Sequence, residues 1–296
     1  MTFSPASDIE SFAAALVRGA ALELYLTPKP GLVDLLDSGS HPDLSIDKME
    51  RSIGILHDYL LGLCLSLRQK EPLSQQKEIG KRAEARMYRE VGANTHKGYI
   101  FLSGLLLTAR QKVAAGDEES LQREVGRLAT EIFALEEPAG SNGSAVRSQY
   151  RAGSIVLEAR DGLPALFHHG APTFREVREE TGSFLLAGFA ALGRLMQVVE
   201  DSTTLHRCGI AGLARIRRDG VKLEKKVRVG GNFISYLREL NAQYRQLNLT
   251  MGGVADMLAL TFGYVEGVDE AAAADAAVPA GSPAAVTTAE TGGWPA

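Results

Sequence analysis

The chain has 296 residues, 45% of them hydrophobic and 23% charged, and a formal net charge of −4. That length and balance support one continuous core and exclude general disorder. They also disfavour a nucleic-acid partner, which usually demands a net basic face. The two cysteines, Cys64 and Cys208, stand at no metal-ligand spacing, and Cys64 among Leu63, Leu65 and Leu67 reads as a core thiol. The first eight residues lack the basic and apolar regions of a signal peptide, and no apolar run is long enough to span a bilayer. The expectation is a cytoplasmic protein without a membrane partner.

Ser7 and Glu10 have capping-box spacing, and Ile9, Phe12, Leu16 and Ala20 then recur at helical steps, predicting a first helix that stops before Pro28 and Pro30. Asp47 and Glu50 open a second, with the stripe Met49, Ile53, Leu56, Leu60, Leu63 and Leu67. Ala83 to Tyr88 predicts a helix before Asn94, and Tyr99 to Lys112 one that is apolar nearly all round and therefore central. Leu121, Val125, Leu128, Ile132 and Leu135 mark a further amphipathic helix. Thr173 with Glu176 is expected to start a long one carrying Val177, Phe184, Ala191, Leu195 and Val198. Phe233, Leu237, Leu240, Tyr244 and Leu247 give another, and the last runs from near Gly252 to about Val265. Gly153–Glu158 and Lys226–Val229 are short and ambiguous between strand and helix. The pattern predicts an all-α fold, a single multi-helix domain over residues 1–266 with functional residues in the loops between helices. The Ala-, Pro- and Thr-rich stretch 267–296 has no apolar period and reads as a flexible tail.

Four polar segments interrupt these helices. In the first, Thr27 to Asp34, two prolines and a glycine set a rigid turn that presents Lys29 and Asp34; Asp37, His41 and Asp43 follow. Such carboxylates and an imidazole suit a divalent cation and its phosphate ligands, or serve merely as loop and cap residues. In the second, Asn94, Thr95, His96 and Lys97 precede the central helix, where a helix N-terminus attracts an anion; a plain N-cap at Asn94 or Thr95 is the alternative. In the third, Glu200 and Asp201 are expected to end a long apolar helix, opposing its negative terminus, with His206 and Arg207 beyond. In the fourth, Asn248 leads to Gly252 and Gly253, whose bare amides would admit a ligand, and then to Asp256. His57 and the pair His168–His169, the latter in an expected loop, read as ordinary surface or core histidines. The run Arg215, Arg217, Arg218, Lys222, Lys225, Lys226 and Arg228 reads as a solvated face that could also steer a polyphosphate.

In this order the segments Thr-Pro-Lys-Pro-Gly-Leu-Val-Asp, Asp-Ser-Gly-Ser-His-Pro-Asp, Asn-Thr-His-Lys-Gly, Glu-Asp with Leu-His-Arg, and Asn-x-Thr-x-Gly-Gly-x-Ala-Asp resemble the ATP:dephospho-CoA triphosphoribosyl transferase family, over roughly Leu16 to Tyr264. The resemblance implies an all-α enzyme that moves the triphosphoribosyl group of ATP to the 2'-hydroxyl of 3'-dephospho-CoA, releasing adenine. The product would be the prosthetic-group precursor of an acyl carrier protein. It implies Asp201, Asp34 and His96 as catalytic groups. Lys29, His41, Asn94, Thr95, Lys97, His206, Arg207, Asn248, Gly252 and Gly253 would bind the nucleotide, and Asp37, Glu200 and Asp256 would hold Mg²⁺. Ser144 and Val156 stand where the family carries a carboxylate and an arginine, Thr203 where an Asn is common and Cys208 where a Gly is. These departures leave two other readings open: a related transferase with another acceptor, or a non-catalytic nucleotide-binding helical protein.

Overall fold

The computed structural model describes residues 8–93, 95–114, 116–134 and 155–277. Among the described residues there are eleven α-helices and no strand: α1 Asp8–Tyr25, α2 Ile46–Arg68, α3 Leu73–Val91, α4 Lys97–Arg110, α5 Glu118–Ala134, α6 Ile155–Arg160, α7 Ala171–Thr181, α8 Phe184–Val198, α9 Ser202–Arg228, α10 Phe233–Gln246 and α11 Gly252–Ala277. A π-helical turn, Ala165–Gly170, leads into α7. The all-α expectation holds. No helix among the described residues is long and apolar enough to cross a membrane.

The apolar stripes read from the sequence become buried faces. Ile9, Phe12, Leu16 and Ala20 of α1 and Met49, Leu56, Leu60, Leu63 and Leu67 of α2 all point into the core. α4 is buried almost around its whole circumference, from Tyr99 and Ile100 through Leu107 and Ala109, as a central helix must be. Side-chain caps start α2 at Ser45, α8 at Ser183 and α10 at Asn232, and left-handed glycines, Gly92 and Gly182, end α3 and α7.

Several elements differ from expectation. The long helix from Thr173 is two, α7 and α8, because Gly182 (φ 65°) turns the chain and Ser183 caps a new start. The ambiguous segments are helical where described, in α6 and at the end of α9. His168 and His169 lie in the π-helical turn and not in a loop. The last helix continues past Val265 to Ala277. Ser7 and residues 278–296 lie outside the described residues. In the basic run, Arg215 pairs with Asp219, and Arg228 with Glu176 and Glu224, which fits an ion-paired helix face.

The most extensive helix pair is α1 with α11, and glycines set its spacing. A Cβ on Gly19 would run into the Ala259 carbonyl and lie 2.5 Å from the Gly263 nitrogen; one on Gly263 would lie 2.8 Å from the Leu16 Cα. The backbones therefore touch, and no side chain fits between them. Gly19→Val should force this seam open and cost about 1–3 kcal/mol of stability, the range for overpacking a rigid core, read as a lowered urea midpoint with an unchanged slope.

Candidate active site at three inward helix starts

Three helices, α4, α9 and α11, begin in the interior, and the first turn of each exposes N–H groups that need acceptors. Asp201 supplies two of the starts. It is the N-cap of α9, accepting from the Thr204 N–H at 2.7 Å, and its Oδ2 accepts from the Val254 N–H at 3.0 Å, with Gly253 also donating. A Cβ on Gly253 would lie only 3.1 Å from that Oδ2, so the glycine lets the carboxylate close on the helix end. Glu200 and Asp201 thus do not oppose the end of an apolar helix, as the sequence suggested. α8 stops at Val198, and Asp201 sits at a favourable, positive terminus. Burial still lifts its carboxyl above the usual aspartate range, against the pull of the Thr204, Val254 and Gly253 donors.

Asp256, one turn into α11, serves the third start. Its carboxylate lies against Gly98, where any Cβ would collide with Oδ2, and it accepts from the Tyr99 N–H. His96 occupies the N-cap position of α4 with no side-chain cap, so Thr95 does not fill the N-cap role that was the alternative there. Asp256 is half-buried, and its proton affinity is raised well above that of a free aspartate. Burial is the largest cause, followed by the charges of Glu23 and Asp201.

Glu23, near the end of α1, joins this field. Its carboxylate binds Lys29 Nζ at 2.6 Å, and the same ammonium donates to the Glu23 and Leu24 carbonyls. Lys29 is fully buried and serves the open carbonyl end of α1. Burial raises the Glu23 carboxyl, opposed by Lys29 and reinforced by Asp34.

The loop after α1 is a tied wedge. Asp34 accepts from the backbone N–H groups of Lys29 (2.7 Å), Leu36 (2.8 Å) and Asp37 (3.3 Å). Asp37 accepts from Gly39, from Asn241 at 2.9 Å and from Arg245 at 3.1 Å. The far side docks on the segment before α11: Ser40 Oγ donates to the Leu249 carbonyl, and His41 Nε2 shares a 2.7 Å hydrogen bond with Thr250 Oγ1. Arg207 donates to the Ser40 carbonyl and to Asn248 Oδ1. Burial, then the Arg207 charge, lowers the His41 imidazole, with Asp43 pulling the other way.

The four segments therefore meet. Lys29, Asp34, Asp37 and His41 join Arg207, Asn248 and Thr250, while Asp201, Gly253, Asp256 and Gly98 link the remaining segments. His96 is buried beside the Lys29 charge. Others stay at the rim. Lys97, its side chain 60% exposed, reaches Glu84 at 3.4 Å, and Thr95 turns its hydroxyl to the Met87 sulfur. Glu200 and His206 are exposed, and Gly252 lies against the Thr203 side chain. Asn94 and Ser144 lie outside the described residues. Val156 lies in α6, whose Glu158 accepts from the Ala165 N–H. Asp37, Glu200 and Asp256 do not gather, and no three Asp, Glu, His or Cys side chains among the described residues form a metal-binding group. Glu23 escaped the sequence reading, although its position three residues after Ala20, on the buried stripe, marks a carboxylate aimed inward.

The ATP:dephospho-CoA triphosphoribosyl transferase family model matches residues 9–274. A relative from Azotobacter vinelandii, described as a probable 2-(5''-triphosphoribosyl)-3'-dephosphocoenzyme-A synthase, is 33% identical over 85% of this chain and 89% of its own length. A relative from Pseudomonas putida with the same description is 31% identical over 84% and 92%. A Klebsiella pneumoniae protein, described as a 2-(5''-triphosphoribosyl)-3'-dephosphocoenzyme-A synthase, is 27% identical over 86% and 89%. No solved structure matches the chain.

The raised proton affinity of Asp256 has a thermodynamic signature. Between the ordinary aspartate range and its own raised value, the folded protein holds a proton that the unfolded chain has released, so stability falls as pH rises through that window. Asp256→Asn removes this slope. Urea unfolding should find the variant gaining on the parent as pH rises above the ordinary aspartate range, and losing that gain as the pH returns.

Proposed function

The chain belongs to the ATP:dephospho-CoA triphosphoribosyl transferase family, and from that membership we propose that it transfers the triphosphoribosyl group of ATP to the 2'-hydroxyl of 3'-dephospho-CoA. The C1'–N9 bond of ATP breaks, the hydroxyl oxygen bonds to C1', its proton passes to a base, and adenine leaves with the bond pair and takes up a proton. The triphosphate remains whole. The observation that carries the assignment to this site is the meeting of Asp256, Glu23 and Asp201 around the start of α4. Loss of a nucleobase leaves an oxocarbenium-like ribose, and a group of carboxylates short of counter-charge favours such a cation.

The carboxylates divide by what already binds them. Asp34 and Asp201 are taken up by backbone N–H groups. Asp256 is half-buried and holds protons more tightly than a free aspartate, which suits a general base. Asp256 is therefore assigned as acceptor of the hydroxyl proton, in place of Asp201 or Asp34. Lys97 and Arg207, at the rim, are assigned to the phosphates.

Magnesium fits hard oxygen donors and needs only one or two carboxylates beside the phosphate oxygens. The exposed Glu200 is the donor of suitable chemistry, whereas Asp37 is committed to Asn241 and Arg245 and Asp256 serves as the base. Bound there with the nucleotide, Mg²⁺ would neutralise triphosphate charge. A reaction that consumes ATP suits a cytoplasmic protein, and its product would serve as the prosthetic-group precursor of an acyl carrier protein.

Mass spectrometry of the protein with ATP, Mg²⁺ and dephospho-CoA should show free adenine and the triphosphoribosylated acceptor. Adenine without acceptor consumption would reject the assigned transfer. Asp256→Asn should lower adenine release by about 10²–10⁴-fold with an unchanged circular-dichroism spectrum. Asp201→Asn and Asp34→Asn should first lower the melting temperature. If Asp256→Asn turned over normally, the base would lie elsewhere.

A further inference from the structure

His96 is nearly inaccessible, and its surroundings determine which ring nitrogen carries the hydrogen. Ser52 of α2, fully buried, places its Oγ 2.7 Å from the Met49 carbonyl oxygen and 2.7 Å from His96 Nδ1. A hydroxyl has one proton, and a carbonyl oxygen can only accept. Sending the Ser52 proton to the imidazole would leave two oxygens facing each other at 2.7 Å with nothing between them. Sending it to Met49 leaves a lone pair on Oγ, which Nδ1 then meets with its own N–H. Only the second arrangement gives Ser52 Oγ, the Met49 carbonyl and His96 Nδ1 a matched donor or acceptor each.

The ring is neutral, because burial and then the neighbouring Lys29 charge push its pKa down to about 4. A neutral imidazole has a single N–H, so Nε2 carries a lone pair. Among the described residues Nε2 takes no hydrogen bond, and the ring is braced edge-on by Tyr99 at 6.3 Å between centroids. Lys29 already spends its hydrogens on Glu23 and the α1 carbonyls and does not point a donor at the ring.

We propose that Ser52 is a positioning residue that holds His96 with its hydrogen on Nδ1, so that Nε2 accepts a hydrogen bond from a hydroxyl or amino group of a bound nucleotide. For that ligand the inference rests on the transferase reading above; for the tautomer it does not. His96 is then a recognition group that orients the nucleotide, and adenine takes its leaving proton from elsewhere.

Histidine-selective ¹⁵N NMR of the full chain reads the tautomer directly, with His96→Gln identifying the signals. The expected spectrum at neutral pH has Nδ1 protonated and Nε2 bare. Ser52→Ala should move the ring toward the opposite tautomer, and Ser52→Thr, which keeps the hydroxyl, should restore it. Adding Mg-ATP and dephospho-CoA separately should perturb the bare Nε2 with the one that supplies the donor. Ser52→Ala should lower kcat/KM for that nucleotide by about tenfold or more while Ser52→Thr recovers it. A bare Nδ1 in the parent protein overturns the tautomer assignment. An Nε2 signal unmoved by either nucleotide in an active protein overturns the acceptor role. Absence of transfer by the parent protein would count against the transferase reading alone, because the tautomer is observed without turnover.

Discussion

A helix that starts inside a protein leaves several N–H groups without partners, and their collective dipole calls for negative charge. Here α4, α9 and α11 all start near one place, and the protein answers with its own carboxylates. Asp201 closes α9 and α11 together, and Asp256 closes α4. Asp201 and Glu23 then sit close enough to add to the effect of burial in raising the proton affinity of Asp256. A positive end of backbone thus holds together charges that would otherwise separate.

The loop after α1 completes the arrangement by fixing a cation. Lys29 is buried and must be hydrogen-bonded on every side, because an unpaired ammonium in the interior is far costlier than a paired one. Its ties to Glu23 and to the α1 carbonyls pull the loop under the helix end, and Asp34 locks the loop's backbone around it. Burial, and then the charge of Lys29, keeps His96 uncharged. The acids of this loop divide by occupancy: Asp34 holds backbone and Asp37 holds α10.

Much of this was legible in the sequence, for reasons tied to local period and turn chemistry. The stripes Ile9–Ala20 and Met49–Leu67 and the all-round apolar segment after Tyr99 predict their helices directly, because a buried face repeats every three or four residues. The polar segments betray themselves by breaking that period. Three-dimensional pairing was not legible. Asp201 looked like an acid at the wrong end of α8, because nothing local announces that its partners are Gly253 and Val254, some fifty residues later. The double glycine looked like an open anion cradle for the same reason. Ser52 and Glu23 sit on otherwise apolar stripes and raised no expectation of a role, although a buried polar group needs a partner. The break at Gly182 was hidden by apolar residues that keep helical step across it.

The glycine seam between α1 and α11 bears on more than packing. Glu23 lies four residues after Gly19 on one helix, and Asp256 lies seven residues before Gly263 on the other, so the bare backbones meeting at Gly19 and Gly263 act as a gauge block for the gap between two acids. A gap set by main chain cannot be retuned by swapping rotamers; it changes only in the coarse increments of an added methyl. Relatives that drift in this seam should therefore differ in the acidity of the centre before they differ in any residue that touches a ligand, and a designer wishing to shift the working pH has a handle well away from the nucleotide.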